Sequence, residues 1–210
     1  MSFTDAQIRD GFRHLRRSDP ILRRVIERVG PFNLRRDADR FGSLVRSIIS
    51  QQISVSAARS IRLRVKRLTA PGRITPEKLL RLSGAELRSA GLSVQKQTYL
   101  LDLAGKVRRG EVKLRSIARR DDEVVIEELT QVKGIGVWTA QMFLMFSLAR
   151  MDVFPHDDLG IRNALKRLYK LQDLPDKKTS HEIATPWRPY ATMASWYCWR
   201  SLELPINESC

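Results

Sequence analysis

Cysteine is scarce in this chain, and its two residues, Cys198 and Cys210, sit near the C-terminal end without C-x-x-C spacing. That pattern argues against a disulfide framework, a zinc site or an iron-sulfur cluster, and suits a reducing compartment: the cytosol and bacterial nucleoid, or a nucleus. Long apolar runs are missing too. The longest, Met142 to Leu148, is far short of the ~20 helical residues that span a bilayer, so no membrane partner is expected. The opening segment MSFTDAQIRDGFRHLRR has no apolar core of the kind a signal peptide carries. No stretch of useful length alternates as a half-buried strand does, and no repeat, low-complexity tract or long flexible linker is evident. Acids are also in deficit, 23 against 38 lysines and arginines in 210 residues, which leaves a formal charge of +15. Such a positive field suits a polyanionic partner, although the same charges could simply solvate helix faces.

What is present is helical punctuation. Thr4 with Gln7 and Ser83 with Glu86 have the form of capping boxes, and Asp19-Pro20 offers an N-cap and a first-turn proline to a run that stops at Gly30. Phe41, Leu44, Val45, Ile48 and Ile49 recur at helical spacing, as do Ile61, Val65 and Leu68 after a polar break at Ser50 to Ser56. Thr75-Pro76 opens a short helix, and Ser93 starts a run ended by Gly110. Asp121 to Thr130 is amphipathic, Val137 to Ala149 is apolar nearly all round, and Leu159 to Tyr169 and Arg188 to Leu202 complete the series. The expectation is an all-α fold of about ten helices. The basic stretch Lys106 to Arg120 is its best candidate for an exposed connection.

Two short segments carry the chemistry. In Leu129-x-x-Val132-Lys133-Gly134-Ile135-Gly136 two apolar residues tuck a turn against its helices, and glycines leave bare amides at the head of the next helix. Amides and helix end converge where a phosphate oxygen could sit, with Lys133 adding a cation and Thr139 a hydroxyl. The alternative is a glycine-closed helix followed by an ordinary tight turn. About one buried helix later, Phe154-Pro155-His156-Asp157-Asp158-Leu159-Gly160 places two acids where a loop enters a helix. Either could simply cap that helix; either could also oppose a developing cation beside a basic surface.

In this order the segments resemble the helix-hairpin-helix, Gly/Pro-rich loop and aspartate (HhH-GPD) superfamily of DNA glycosylases, and most closely its 3-methyladenine DNA glycosylase II, AlkA-type branch. The resemblance is carried by IISQQISVSAA near Ile48, GLSVQKQTYL at Gly91, the hairpin with WTAQMF, FPHDDLGIR, and PWRPYATMASWYCWR at Pro186. It implies residues 1–210 forming one catalytic unit of two interleaved helical lobes with the active-site cleft between them. The helix-hairpin-helix then spans about 122–149, with no room for the N-terminal β domain of longer members.

The resemblance also distributes roles. Asp158, the second acid of the loop, stabilises the oxocarbenium-like sugar as the N-glycosidic bond breaks, and Asp157 is the weaker match. Trp138 and Trp187 align with base-pocket aromatics, with Met142 one turn beyond Trp138. Trp196 and Trp199 match no pocket residue and read as packing. Gln52, with Ile53 beside it, falls where relatives push a wedge into the gap left by the flipped base, or is ordinary loop and core. Lys133, Gly134, Gly136 and Thr139 hold DNA, and the carbonyls of Thr130, Val132 and Ile135 bind a structural sodium or potassium ion. No cofactor is required.

The position after G-x-G-x, a lysine in strand-cutting members, is Trp138, which implies a monofunctional enzyme. Lys133 stands where relatives often have proline. The implied activity is excision of 3-methyladenine, 7-methylguanine and related alkylpurines from double-stranded DNA by a monomer in base excision repair. The alternatives are the same fold acting on hypoxanthine, ethenoadenine or oxidised bases, and a non-catalytic module that binds damaged DNA.

Overall fold

The computed structural model of the chain describes residues 3–205, and within them it is helical, with no strand. In chain order the α-helices are α1 (Asp5–Ser18), α2 (Pro20–Val29), α3 (Arg40–Ser50), α4 (Val55–Leu68), α5 (Pro76–Leu80), α6 (Gly84–Ser89), α7 (Val94–Arg109), α8 (Asp122–Thr130), α9 (Val137–Phe146), α10 (Leu159–Leu168), α11 (Lys177–Ala184) and α12 (Ala191–Ser201). Short 3-10 turns lie at Ile117–Arg119 and Thr185–Trp187. No helix is long and apolar enough to cross a membrane among the described residues. Cys198 is a buried free thiol, and Cys210 lies outside the described residues.

The capping chemistry explains most boundaries. Thr4 accepts the Gln7 amide while the Gln7 side chain accepts the Thr4 amide, and Ser83 and Glu86 do the same for α6. Asp19 accepts the amides of Ile21 and Leu22 ahead of α2, and Gly110 ends α7 in the left-handed region at φ 78°.

Four local expectations change. The helix α11, not expected from the sequence, has only Ile183 and Ala184 as apolar residues and is capped by Asp176 accepting the Thr179 amide. The helix α9 stops at Phe146 rather than Ala149: Ala149 turns left-handed at φ 56°, and the Arg150 amide reaches back to the Leu144 carbonyl. Only glycine or asparagine would have signalled that stop. The helix α12 starts at Ala191, after Pro189, with Asp152 accepting the Ala191 amide. The stretch 106–120 is not simply exposed: Val112, Leu114 and Ile117 are buried along it.

The contacts within the chain divide it into two compact units, Met1–Arg36 with Leu144–Cys210, and Asp37–Phe143. In the first, α2 packs on α1 and α12, and α12 on α10, around Leu15, Leu22, Ile26, Ile161, Leu165, Trp187 and Tyr197. In the second, α3, α5 and α6 pack on α7, and α4 on α3; Leu44, Ile48, Val65, Leu79, Leu87, Leu100 and Leu103 are fully buried there. Each such side chain contributes ~1.5–3 kcal/mol relative to exposure.

Candidate active site

In the second unit, α8 and α9 meet at a turn whose apolar anchors, Leu129, Val132 and Ile135, are buried as their spacing predicts. The Ile135 amide donates to the Val132 carbonyl at 3.0 Å, closing the turn. Its two glycines are there for different reasons. Gly134 has φ 80°, and a Cβ on it would stand 2.1 Å from the Tyr99 ring, so the fold itself demands glycine. Gly136 has no such φ, and a Cβ there would meet nothing within 4 Å. Nothing inside the protein requires glycine at 136, which is exposed at the head of α9, where the positive helix end favours an anion.

Helix α7 clamps this turn. Asp102 accepts the Lys133 amide and the Lys106 ammonium, both at 2.8 Å, and Lys106 also donates to the Gln131 carbonyl. Burial pushes the Asp102 carboxyl upward, but the hydrogen bonds from Lys106 and the Lys133 amide, with both lysine charges, outweigh it and hold it below the usual carboxylate value. The Lys133 side chain is left exposed. Thr139, expected on the DNA-facing side, is buried at 5% exposure, because it falls on the inward face of α9, so its hydroxyl is corrected to a core position.

The loop after α3 is tied to the same turn. The Gln51 side-chain amide donates to the Gly134 carbonyl at 2.8 Å, and Lys96 donates to the carbonyls of Ile49 and Gln51, both at 2.7 Å. Burial lowers the Lys96 ammonium from its ordinary value. Held between these bonds, Gln52 is exposed in a left-handed conformation at φ 55°, which costs a non-glycine residue ~1–2 kcal/mol, and Ile53 beside it is 37% exposed. Gln52 and Ile53 thus lie at the surface, outside the core. Gln51, Lys96 and Tyr99 lie in segments that carry the resemblance, but neither they nor Asp102 had a role legible in sequence, being common residues whose partners are distant in the chain. On α9, Trp138 is 45% exposed and Met142 half-buried one turn on.

In the first unit, the loop from Met151 to Asp158 is anchored to α12. The Val153 amide donates to the Thr192 hydroxyl, which donates to the Arg150 carbonyl, and Asp152 accepts from Arg188 and the Ala191 amide. The loop delivers Asp158 to the head of α10, where its Oδ1 accepts the Ile161 amide at 2.9 Å and the Trp199 indole N–H at 2.8 Å. Capping and a chemical role are therefore compatible: the cap fixes the partly buried carboxylate. Trp199, expected to be packing alone, is corrected to an Asp158 partner; it also stacks on Phe146 with ring centroids 6.1 Å apart. Gly160 permits this approach, since a Cβ there would lie 3.0 Å from both Asp158 Oδ1 and Trp199.

Asp157 is exposed and pairs with His156 at 3.2 Å. Burial lowers His156 from its ordinary value, Asp157 opposes this, and His181 and Lys177 reinforce it. Trp196 packs in the core against Phe32 and Tyr197, as read.

Trp187 does not offer a face to a base. It has no exposed surface, Phe154 stands edge-on to its ring, and its N–H donates to Asp19 Oδ2 at 2.8 Å. The same buried Asp19 accepts the Tyr169 hydroxyl and caps α2, so Trp187 helps satisfy an interior charge; this corrects its placement in an open base pocket. Among the described residues no cluster of three or more His, Cys, Asp or Glu could hold a metal ion. The carbonyls of Thr130, Val132 and Ile135 are oxygen donors of the kind a hard monovalent cation takes, and a carbonyl has two lone pairs, so accepting the Ile135 amide does not bar Val132 from ligating.

Comparison with known proteins places these features in a family. Residues 45–189 match the HhH-GPD superfamily of base excision DNA repair proteins. The chain is 35% identical over 208 residues to DNA-3-methyladenine glycosylase 1 of Schizosaccharomyces pombe, covering 97% of this chain and 89% of that one. The solved structure of an S. pombe 3-methyladenine DNA glycosylase in complex with abasic DNA aligns with a TM-score of 0.82 at 34% identity, over 93% of this chain and 97% of that one. A DNA-3-methyladenine glycosidase from Bacillus halodurans aligns with a TM-score of 0.84 at 35% identity, over 96% and 91%.

Proposed function

The chain belongs to the HhH-GPD superfamily of base excision DNA repair proteins, and from that premise we propose that it is a monofunctional 3-methyladenine-type DNA glycosylase acting as a monomer on double-stranded DNA. Its substrates are alkylated purines, which already carry positive charge and so leave readily. The reaction breaks the bond between C1′ and the base nitrogen, the electron pair departing with the base and neutralising its charge, while water adds to C1′, gives up a proton to solvent, and leaves an abasic site.

Roles follow from placement. The amides around Gly136 and the exposed Lys133 hold a phosphate of the lesion strand. Gln52 and Ile53 fill the space vacated by the flipped nucleotide, and the exposed Trp138, with Met142, stacks on the electron-poor base. Asp158 stabilises the cationic sugar. Trp138 occupies the position at which a strand-cutting relative would need an amine, which supports the absence of lyase chemistry. The hairpin carbonyls of Thr130, Val132 and Ile135 are the ligands of a structural sodium or potassium ion.

The observation that carries this reading is the carboxylate of Asp158, fixed at the head of α10 by a backbone amide and an indole. Asp158→Asn keeps a capping side chain, so the fold and DNA affinity should survive while release of free base from methylated DNA falls by at least about a thousandfold. Base release at the normal rate would remove Asp158 from the chemistry. A wild-type protein that binds methylated duplex but never releases a base would be a binding module instead.

A further inference from the structure

Between α3 and the start of α4 lies a cavity of about 220 Å³ whose lining is strongly one-signed. Its apolar wall includes Ile49, Ala58 and Ile53, and three arginines line it: Arg46, Arg59 and Arg62. Asp37 pairs there with Arg46. Burial, and then the charge of Arg62, lower the Arg46 guanidinium from its ordinary value, so positive charge in this corner is undercompensated. Arg59 and Arg62 are exposed, lie one turn apart on α4, and have no acidic partner among the described residues. The helix itself, VSAARSIRLRVKRL, contains Arg59, Arg62, Arg64, Lys66 and Arg67 and no acid at all. A merely solvated helix face would ordinarily intersperse acids at i+3 or i+4; this one concentrates its field at a concave site with low-dielectric walls, where an anion is held more tightly than in open water.

The place of the cavity in the loop says which anion. The Gln51–Ile53 segment faces two ways: Gln51 bonds to the hairpin carbonyl of Gly134, and Ile53 lines the cavity. If Gln52 and Ile53 enter a duplex from the minor groove, the hairpin lies toward one edge of the groove and the arginine cavity toward the other, and the two edges of a groove are the backbones of opposite strands. We propose, resting on the functional reading above, that this cavity is a second phosphodiester site, in which Arg59 and Arg62 grip a backbone phosphate of the strand paired with the damaged one. The hairpin then holds one strand and the arginine cavity the other, so that inserting the wedge pries between two fixed backbones. Arginine suits this use because its planar fork matches two phosphate oxygens at once.

The test uses the full chain and a fluorescent duplex of about 20 base pairs with a central tetrahydrofuran abasic analogue, titrated across a range of salt. In Arg59→Ala/Arg62→Ala the dependence of log affinity on log salt should flatten by close to two units, about 0.9 per lost contact, with about a tenfold loss of affinity at low salt. Neutral methylphosphonates are then placed one at a time in the undamaged strand across from the abasic analogue. One position should weaken the wild-type protein about three- to tenfold and leave the double variant unaffected. Thermal melting of the double variant should match wild type, both residues being exposed. Unchanged affinity and slope in the double variant would overturn the proposal. So would a methylphosphonate penalty of equal size in both proteins, which would place the two arginines elsewhere on the DNA. Base release by the wild-type protein from methylated DNA is measured in parallel. Its presence with an unchanged double variant rejects only the second site, and its absence rejects the functional reading itself.

Discussion

Asp158 accepts two hydrogen bonds on one oxygen, and the donors have separable consequences. The amide of Ile161 belongs to the helix end and stays in any variant, whereas the Trp199 indole is a side chain that aims the carboxylate. Trp199→Phe keeps the stack on Phe146 but removes a hydrogen bond to a charged group, worth ~1.5–3 kcal/mol. Single-turnover excision should slow by about tenfold or more while DNA affinity is unchanged; a rate equal to wild type would reduce Trp199 to packing. Two residues earlier, burial lowers His156 from its ordinary value against the charge of Asp157. Its folded-state pKa lies below the ordinary 6.5, so the two states bind protons alike above that value, and the unfolded chain takes the proton first below it. Stability should therefore decline as pH falls from about 6.5, and thermal melts of His156→Gln should lose part of that decline.

The hairpin makes a prediction at the scale of the element, because its two glycines answer to different demands. Gly134→Ala must either displace Tyr99 or distort a left-handed turn, and should cost several kcal/mol, seen as a lowered Tm. Gly136→Ala meets open space, so the melt should stay within about 0.5 kcal/mol of wild type while affinity for abasic duplex falls at least about tenfold. Equal melting losses would mean that both glycines serve the fold alone. The same contrast shows what was legible in the sequence. Caps, glycine stops and the Leu129, Val132 and Ile135 anchors are local chemistry, and they placed α1, α2, α6, α7 and α8 and the hairpin well. The placement of Asp158 at a helix head was legible because its loop is a contiguous motif. Trp199, Gln51, Lys96 and Asp102 were not, since each acts through a partner from a distant segment. Trp187 misled for the same reason: its aromatic identity is visible in sequence, but its bond to Asp19, 168 positions away, is not. The stop of α9 escaped because alanine, unlike glycine or asparagine, does not signal a left-handed turn.

For the molecule as a whole, the formal charge of +15 sets the conditions under which it can work. Affinity for duplex DNA should fall by at least about a hundredfold between about 50 and about 200 mM salt, as counterions compete for the phosphates. The excision rate of a saturated complex should hardly change, because the carboxylate acts at close range inside the complex. A large effect of salt on that rate would mean that long-range field, rather than local geometry, drives bond cleavage. The division of the chain adds an order in time. Asp37–Phe143 is one continuous segment with its own interior, whereas the other unit joins residues up to Arg36 to residues from Leu144 onward. On a translating ribosome, Leu15, Leu22 and Ile26 emerge early and stay uncovered until Ile161, Leu165 and Tyr197 have been made, while the inserted segment can already close. A nascent chain can thus close the unit that holds the hairpin before the segment that carries Asp158 and Trp199 has been made.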